Sequence, residues 1–191
     1  AAGAALTERN AVRLLLDAKE NFPAWLAAIR AAQRYVIFES YIIADDSVGR
    51  AFVQALADRA RAGVRVYVVY DWLGSTKSSA TWEALTGAGV DVRCFNPPSL
   101  DSPLAWLTRD HRKSIVVDGE VGYVSGLCVS AEWEGNPAKR LEPWRDTGIE
   151  VRGPAVAELQ LGEQAKFYPT DAALASWMAQ AHEGRVQVMY E

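Results

Sequence analysis

The sequence predicts an α/β fold with a mixed, largely parallel β-sheet flanked by helices on both faces. Short runs of β-branched and aromatic residues alternate with helical patterns along the first half of the chain. This alternation is typical of β-α-β units, whose strands pair in parallel. Asp118-Gly119 lies between two apolar runs and indicates a tight hairpin, which makes the sheet mixed.

The first half of the chain contains three predicted helices and three predicted strands. Asn21 as an N-cap and Pro23 in the first turn predict a helix that ends near residue 33. Gly63 and Gly89 end the next two helices, because glycine readily adopts the conformation that closes a helix. The remaining elements are a strand at 35–43, a helix capped by Asp45, Asp46 or Ser47, a strand at 64–70, a helix at 79–88 and a strand at 90–95.

The second half of the chain changes character at Arg112. Its predicted elements are strands at 114–117 and 120–124, a charged loop at 132–142, a strand at 146–152, a helix at 153–167, a helix ending near His182 and a strand-like segment at 184–191. We therefore expect a single lobe over residues 1–183. Residues 184–191 would then be the start of a second lobe or a C-terminal tail.

Composition argues against several classes of function. The 191 residues are half hydrophobic, enough to bury a core, and the net charge of -4 provides no overall positive field for a nucleic acid partner. No apolar run reaches the roughly 20 residues that span a bilayer, so we expect no transmembrane segment in this chain. Cys94, Cys128 and two histidines lack the spacing of a metal site, so no metal or other cofactor is expected.

His111 and Lys113 are separated by one residue at the start of a predicted strand. Residues two apart on a strand share a face, so the imidazole and the ammonium would project toward the same space. A neutral imidazole can attack phosphorus while the ammonium balances the negative charge that develops on the phosphoryl oxygens. The alternative is a solvent-exposed pair at a strand edge without a chemical role.

A longer motif contains this pair. His111, Lys113 and Asp118 have the spacing His-x-Lys-x-x-x-x-Asp, and the small residues Ser125 and Gly126 follow. Together these residues resemble the signature of the phospholipase D superfamily. Other segments fall in the order seen in its cardiolipin synthases and cover most of the chain, namely residues 39–43, 63–66, 71–75, 89–92, 95–97, 144–147 and 153–156.

The resemblance implies a phospholipase D-like lobe and a metal-free reaction in two displacements. A phosphohistidine would form at His111 and then be resolved by an alcohol or by water. The family counts Asp118 with His111 and Lys113 as catalytic, although an Asp before Gly at a hairpin turn also has a structural explanation and would brace the site through hydrogen bonds. Asp146 is expected to orient His111 by accepting a proton from its other ring nitrogen. The alternative for Asp146 is a surface ion pair with Arg145 or Arg152.

Five residues are expected to contact the substrate. Lys113 would hold a phosphoryl oxygen, and Ser125 and Gly126 would let the backbone approach the phosphate closely. Glu39 lies in an apolar strand and needs a partner if it is buried. Cys128 stands where the family usually has Asn, and a thiol replaces a carboxamide poorly as a hydrogen-bonding group.

The family uses two such motifs, and this chain contains one. His182 has no Lys two residues later, so it does not supply a second motif. A second motif-bearing lobe of a longer protein, or a homodimer partner, would provide the missing histidine.

The expected function is therefore phosphatidyl transfer of the cardiolipin synthase type on a phosphatidylglycerol-like phospholipid. Such a protein would contact the membrane peripherally on the cytoplasmic side of a bacterial cell. Trp106 and Trp133, in loops that flank the motif, are either contacts to lipid or core aromatic residues. The alternatives are a nuclease or other phosphodiesterase on the same scaffold, and a non-catalytic half that only assembles with a partner lobe.

Overall fold

The structure is a computed structural model that describes residues 7–75, 79–98 and 109–160. Its strands are β1 (Ala11–Leu16), β2 (Tyr35–Ser40), β3 (Arg65–Asp71), β4 (Asp91–Phe95), β5 (Lys113–Val117), β6 (Val121–Ser125) and β7 (Thr147–Arg152). Its helices are α1 (Asp17–Ala31), α2 (Ser47–Arg61) and α3 (Ser79–Gly87), with 3-10 turns at Ala131–Trp133 and Pro137–Lys139. Residues 155–160 are helical as well.

The strands form one mixed sheet in the order β1-β7-β6-β5-β2-β3-β4. The predicted α/β class and the mixed sheet are confirmed, but the expectation that parallel pairing dominates is wrong. Only β2–β3 and β3–β4 are parallel, and the other four pairs are antiparallel. One reason is β1, which the sequence does not predict because its three leucines at 14–16 merge into the helical pattern that follows.

Helices cover both faces of the sheet, as predicted. On one face, α1, α2 and α3 cover a core in which Phe22, Trp25, Phe38 and Phe52 meet at ring-centroid distances of 5.6 to 6.2 Å. On the other face, the helical residues 155–160 contribute Val156 to a smaller apolar cluster. Within the described ranges, no helix combines the length and the apolar character needed to cross a bilayer.

The start of α1 differs from the prediction. The helix begins at Asp17 rather than at Asn21, and Pro23 lies inside it. Asn21 is fully buried, and its side-chain nitrogen donates to the main-chain oxygens of Leu15 and Asp17, both at 2.9 Å. The amide therefore joins β1 to α1 instead of capping a helix.

The predicted limits of α2 are confirmed. Asp46 is its N-cap and accepts a hydrogen bond from the main-chain nitrogen of Gly49 at 2.9 Å. Gly63 follows the helix with a φ of +88°, a conformation that glycine adopts without strain. The predicted helix at 153–167 begins within the described residues, whereas its end, His182 and the expected strand at 184–191 lie outside them.

Asp118 ties the β5–β6 hairpin to the start of β2. One carboxylate oxygen accepts from the main-chain nitrogens of Arg34 and Tyr35, and the other accepts from that of Gln33, all at 2.8 Å. The main-chain nitrogen of Asp118 donates to the oxygen of Tyr35 at 3.0 Å, and its oxygen accepts from the Arg34 guanidinium. Because Asp118 is only 8% exposed, these bonds are shielded from competing water.

We expect Asp118→Ala to lower the free energy of unfolding by about 3 kcal/mol, because three main-chain donors, one buried and two part-buried, lose a charged acceptor. Urea denaturation measures the change. Asp45→Ala is the control, since it removes only an exposed ion pair with Arg50 and should cost less than about 0.5 kcal/mol. Equal losses in the two variants would contradict this role for Asp118.

Candidate active site

One edge of the sheet collects the residues of the predicted motif. Because β5 runs antiparallel to β2 and β6, its amino-terminal end lies beside the carboxy-terminal ends of those strands. The register pairs Ser40 with Lys113 and Ser125 with Gly148, so β7 also begins at this edge. His111 precedes β5 and therefore lies at the edge itself.

The side chains of His111 and Lys113 both lie against the ring of Tyr41. The His111 imidazole lies 4.7 Å from the Tyr41 ring centroid, and Lys113 Nζ lies 5.3 Å from the same centroid. Nζ also donates to the main-chain oxygen of His111 at 2.6 Å. His111 is exposed, whereas Lys113 is only 5% exposed. The structure thus presents an accessible imidazole beside a buried cation, an arrangement that can stabilise negative charge on a bound group.

Burial lowers the pKa of Lys113 from its ordinary value of 10.5. Removing an ammonium from water costs free energy, and this cost favours the neutral amine. Cys128, Asp110 and Asp146 lie near enough to offset part of the shift by favouring the charged form. The site therefore holds a desolvated cation, and the nearby acidic groups compensate only part of the cost of its burial.

Cys128 lies beside Lys113 and is itself 4% exposed. Its thiol is free, and burial raises its pKa above the ordinary value of 9.0, while the ammonium of Lys113 opposes that shift. The next residue, Val129, donates from its main-chain nitrogen to the oxygen of Ile42 at 3.1 Å. This bond holds the segment of Cys128 against the chain that follows β2.

Ser125, Gly126 and Asp146 form the β6–β7 side of the site. Ser125 Oγ accepts a hydrogen bond from the main-chain nitrogen of Leu127 at 3.2 Å. A Cβ on Gly126 would overlap the carboxylate of Asp146, so any larger residue at this position would displace that carboxylate. The absence of a side chain at position 126 therefore leaves the space that the carboxylate occupies.

Asp146 is held by its main chain through Asp17. The main-chain nitrogen of Asp17 donates to the oxygen of Asp146 at 2.8 Å, and the nitrogen of Asp146 donates to Oδ1 of Asp17 at 3.1 Å. The alternative for Asp146, an ion pair with Arg145 or Arg152, does not form, since Arg145 pairs with Asp17 and Arg152 pairs with Glu150.

The Asp146 carboxylate points toward the site but does not bond to the expected histidine. Its Oδ1 accepts from the main-chain nitrogen of Thr147 at 2.6 Å. Within the described residues it makes no hydrogen bond to His111, and its charge acts on Lys113 and Cys128. The orientation of His111 by Asp146 therefore stays a prediction.

Two further predicted site residues lie away from His111. Asp118 is at the far end of β5, about 17 Å from Lys113 at the usual rise of a strand, and its carboxylate is occupied by main-chain donors. Glu39 is 1% exposed, and its Oε2 accepts from Ser114 Oγ at 3.3 Å. Since Glu39 is paired with Ser114 rather than with Lys113, it lies on the opposite face of the sheet from Lys113. The structure does not bring either carboxylate to the imidazole.

Sequence reasoning missed Tyr41, whose ring contacts both basic side chains. The available signal was an aromatic residue directly after a buried strand. Of the two tryptophans considered, Trp133 is half-buried and packs on exposed Trp144 at 5.2 Å, while Trp106 lies outside the described residues. Among the residues described, no group of three or more metal-binding side chains has the geometry to hold an ion.

Comparison with known proteins agrees with this geometry. Residues 25–133, more than half of the chain, match the family described as "Cardiolipin synthase, PLD-like domain". The chain belongs to this family. The match contains the motif from His111 to Cys128 and ends before Asp146.

Two bacterial relatives support the assignment. Cardiolipin synthase A of Pseudomonas aeruginosa (strain LESB58) is 40% identical over 153 residues, which are 79% of this chain and 31% of the relative. Cardiolipin synthase A of Pseudomonas putida (strain W619) is 38% identical over 159 residues, which are 79% of this chain and 32% of the relative. The phospholipase D-like domain described here thus spans about a third of the length of these relatives.

Solved structures share the fold. Nuc, a phospholipase D family member from Salmonella typhimurium, has a TM-score of 0.61 at 17% identity, over 83% of this chain and 95% of that one. Phosphatidylserine synthase from Haemophilus influenzae Rd KW20 has a TM-score of 0.57 at 15% identity, over 86% of this chain and 40% of that one. At these identities the likeness shows the fold alone.

We expect the Lys113→Met variant to be at least as stable as the wild-type domain. The substitution replaces a desolvated charge with an apolar side chain of similar length. The folded-state pKa is lowered, so the unfolded chain binds more protons as pH approaches 10.5. Wild-type stability should therefore rise with pH in that range relative to the variant. Urea denaturation at a series of pH values tests this, and a variant less stable than wild type throughout would contradict it.

Gly126→Ala should displace the Asp146 carboxylate and lower phosphodiester turnover by about 10-fold or more, because a small displacement of an active-site group is costly. Turnover of a chromogenic diester by the folded variant measures the effect. Gly87→Ala is the matched control, since a Cβ at that position meets no atom within 4 Å. If the two alanine variants are equally active, the packing of Gly126 on Asp146 has no role in turnover.

Proposed function

We propose that the protein is a phosphatidyl transferase of the cardiolipin synthase type that acts through a phosphohistidine on His111. The observation that carries this proposal is that the imidazole of His111 and the ammonium of Lys113 both lie against the ring of Tyr41 at one edge of the sheet. An exposed imidazole can reach phosphorus, and the buried ammonium beside it is worth more to a developing anion than a hydrated one. Membership of the cardiolipin synthase family supports the same chemistry.

The proposed reaction has two displacements. A ring nitrogen of His111 attacks the phosphorus of one phosphatidylglycerol-like lipid, a nitrogen–phosphorus bond forms, and the bond from phosphorus to the oxygen of the head-group glycerol breaks. A hydroxyl of a second lipid then attacks the phosphohistidine and frees the imidazole. The proton lost by that hydroxyl balances the proton gained by the departing glycerol, so two phosphatidylglycerols give cardiolipin and glycerol.

The surrounding residues have supporting roles in this scheme. Lys113 balances charge on the phosphoryl oxygens, and the backbone at Ser125 and Gly126 lies close to them. Cys128 occupies the place of a carboxamide and contributes shape rather than a strong hydrogen bond. Asp146 is proposed to orient His111, which requires a movement of its carboxylate away from the main-chain nitrogen of Thr147.

A second motif-bearing lobe or a homodimer partner would supply the acid for the leaving group. The chain contains one His-x-Lys-x-x-x-x-Asp motif, and the two histidines of the sequence include no second copy of it. The relatives are about three times as long as the matched segment, which is consistent with a further lobe. Residues 1–183 would then form the first lobe.

Peripheral contact with the cytoplasmic face of a bacterial membrane would bring the lipid to this edge. Leu141 and Trp144 are 57% and 53% exposed in the loop that joins β6 to β7. Tryptophan is favoured at the lipid–water boundary because its ring is apolar while its N–H can bond to water. The loop therefore suits an approach to phospholipid head groups.

The proposal predicts a phosphatidyl group whose phosphorus is bonded to a ring nitrogen of His111. After incubation with phosphatidylglycerol vesicles in the presence of a chelator, we expect an acid-labile, base-stable adduct on the peptide that contains His111, together with cardiolipin and glycerol. Mass spectrometry and lipid chromatography measure them. His111→Ala should abolish all three, because no other group described at this edge replaces the nucleophile.

His182→Ala is the matched control, as it changes the other histidine of the chain and should retain the adduct. Cleavage of DNA or a chromogenic diester without any reaction on the lipid would favour a nuclease or other phosphodiesterase. A folded protein that associates with a partner equally well with and without His111, and forms no adduct, would leave only an assembly role.

A further inference from the structure

Asp71, the last residue of β3, is completely buried at the same sheet edge. Its Oδ1 accepts from the main-chain nitrogens of Leu73 at 2.9 Å and Gly74 at 3.1 Å. Such bonds from an aspartate to the residues two and three positions later fix a turn. The carboxylate therefore determines the conformation of the chain directly after β3.

The same carboxylate also holds the segment directly before His111. Oδ2 of Asp71 accepts from the main-chain nitrogen of Asp110 at 2.9 Å, and Oδ1 forms an ion pair with Arg109 at 3.3 Å. Hydrogen bonds to a buried charged group are among the stronger ones in proteins. These contacts fix the backbone directly before His111.

The turn after Asp71 in addition supports Tyr41. Ser75 Oγ donates to the main-chain oxygen of Tyr41 at 3.2 Å and accepts from the nitrogen of Ile43 at 3.1 Å. Gly74 packs so closely on the oxygen of Tyr41 that a Cβ there would overlap it. The ring of Tyr41 lies against the imidazole of His111. The chain segment that carries the imidazole and the turn that supports the Tyr41 ring therefore both depend on the carboxylate of Asp71.

We infer that Asp71 is the residue that positions His111 for attack, through Asp110 on one side and through the Tyr41-bearing turn on the other. Its carboxylate is saturated by these partners and does not contact the substrate. The inference rests on the proposed function of His111 as the nucleophile, although the positioning itself is a structural property that can be measured without turnover.

Asp71→Asn is the sharpest test, because the carboxamide has the shape of the carboxylate but only one acceptor oxygen. The amide oxygen can accept either from the main-chain nitrogens of Leu73 and Gly74 or from that of Asp110. In either case the NH2 group faces a main-chain N–H, and two donors cannot form a hydrogen bond. We expect kcat to fall by about 10- to 100-fold with KM within about 2-fold, since the nucleophile is displaced while the binding residues remain. Asp71→Ala should lose at least as much, and the conservative variant keeps the test valid if the alanine variant does not fold.

Nuclear magnetic resonance gives the readout that is independent of turnover. The ring-proton resonances of His111 sense the ring of Tyr41, so they should shift in Asp71→Asn, while those of His182 serve as an internal reference. Glu150→Gln is the matched control, because Glu150 is another buried carboxylate held by Arg13, Arg152 and Tyr123, in the middle of β7. That variant should leave kcat and the His111 resonances unchanged.

Unshifted His111 resonances with wild-type kcat in Asp71→Asn would overturn the inference, as would an equal loss of kcat in Glu150→Gln. If the wild-type protein transfers no phosphoryl group, the proposed function fails, and the resonances alone decide the inference. A shift in Asp71→Asn but not in Glu150→Gln then supports it, and no shift refutes it.

Discussion

The antiparallel pairing of β5 with β2 is the constraint on which the site depends. It places the start of β5 beside the ends of β2 and β3, so that residues distant in sequence share one edge. A register shift of one residue would move Lys113 to the opposite face of the sheet, away from the ring of Tyr41. Asp118 fixes this register from the other end of β5 by bonding to the main chain at residues 33–35. A motif residue remote from the imidazole can thus be essential to it.

The charged groups at this edge differ in how well their charges are compensated. Lys113 is buried among apolar and weakly acidic groups, and the lowered pKa reports the free energy that this burial costs. Asp71, by contrast, has its charge balanced by Arg109 and by main-chain donors. Burial therefore disfavours the charged forms of Lys113 and Asp110, whereas the carboxylate of Asp71 has a cation and several main-chain donors as partners.

Local signals in the sequence account for much of the fold. Asp46 and Gly63 act within a few residues of themselves, so the limits of α2 were predictable, as was the hairpin at Asp118-Gly119. β1 was not, because its leucines continue into a helical pattern and only pairing with β7 makes them a strand. For the same reason the amide of Asn21 was misread, since its partners become neighbours only when β1 meets α1.

Some residues of the candidate site were predictable from local sequence signals, and others were not. Spacing within one strand suggested His111 and Lys113, whereas Tyr41 and Asp71 belong to other strands and reach the imidazole only through the sheet order. His111 is also open to solvent, and in the proposed reaction a phosphatidyl group bound to its ring would be open to solvent as well. Water at its bulk concentration can compete with any lipid alcohol for such an adduct. In the proposed reaction, the partition between hydrolysis and synthesis would then depend on how well the imidazole is shielded from water during the lifetime of the intermediate.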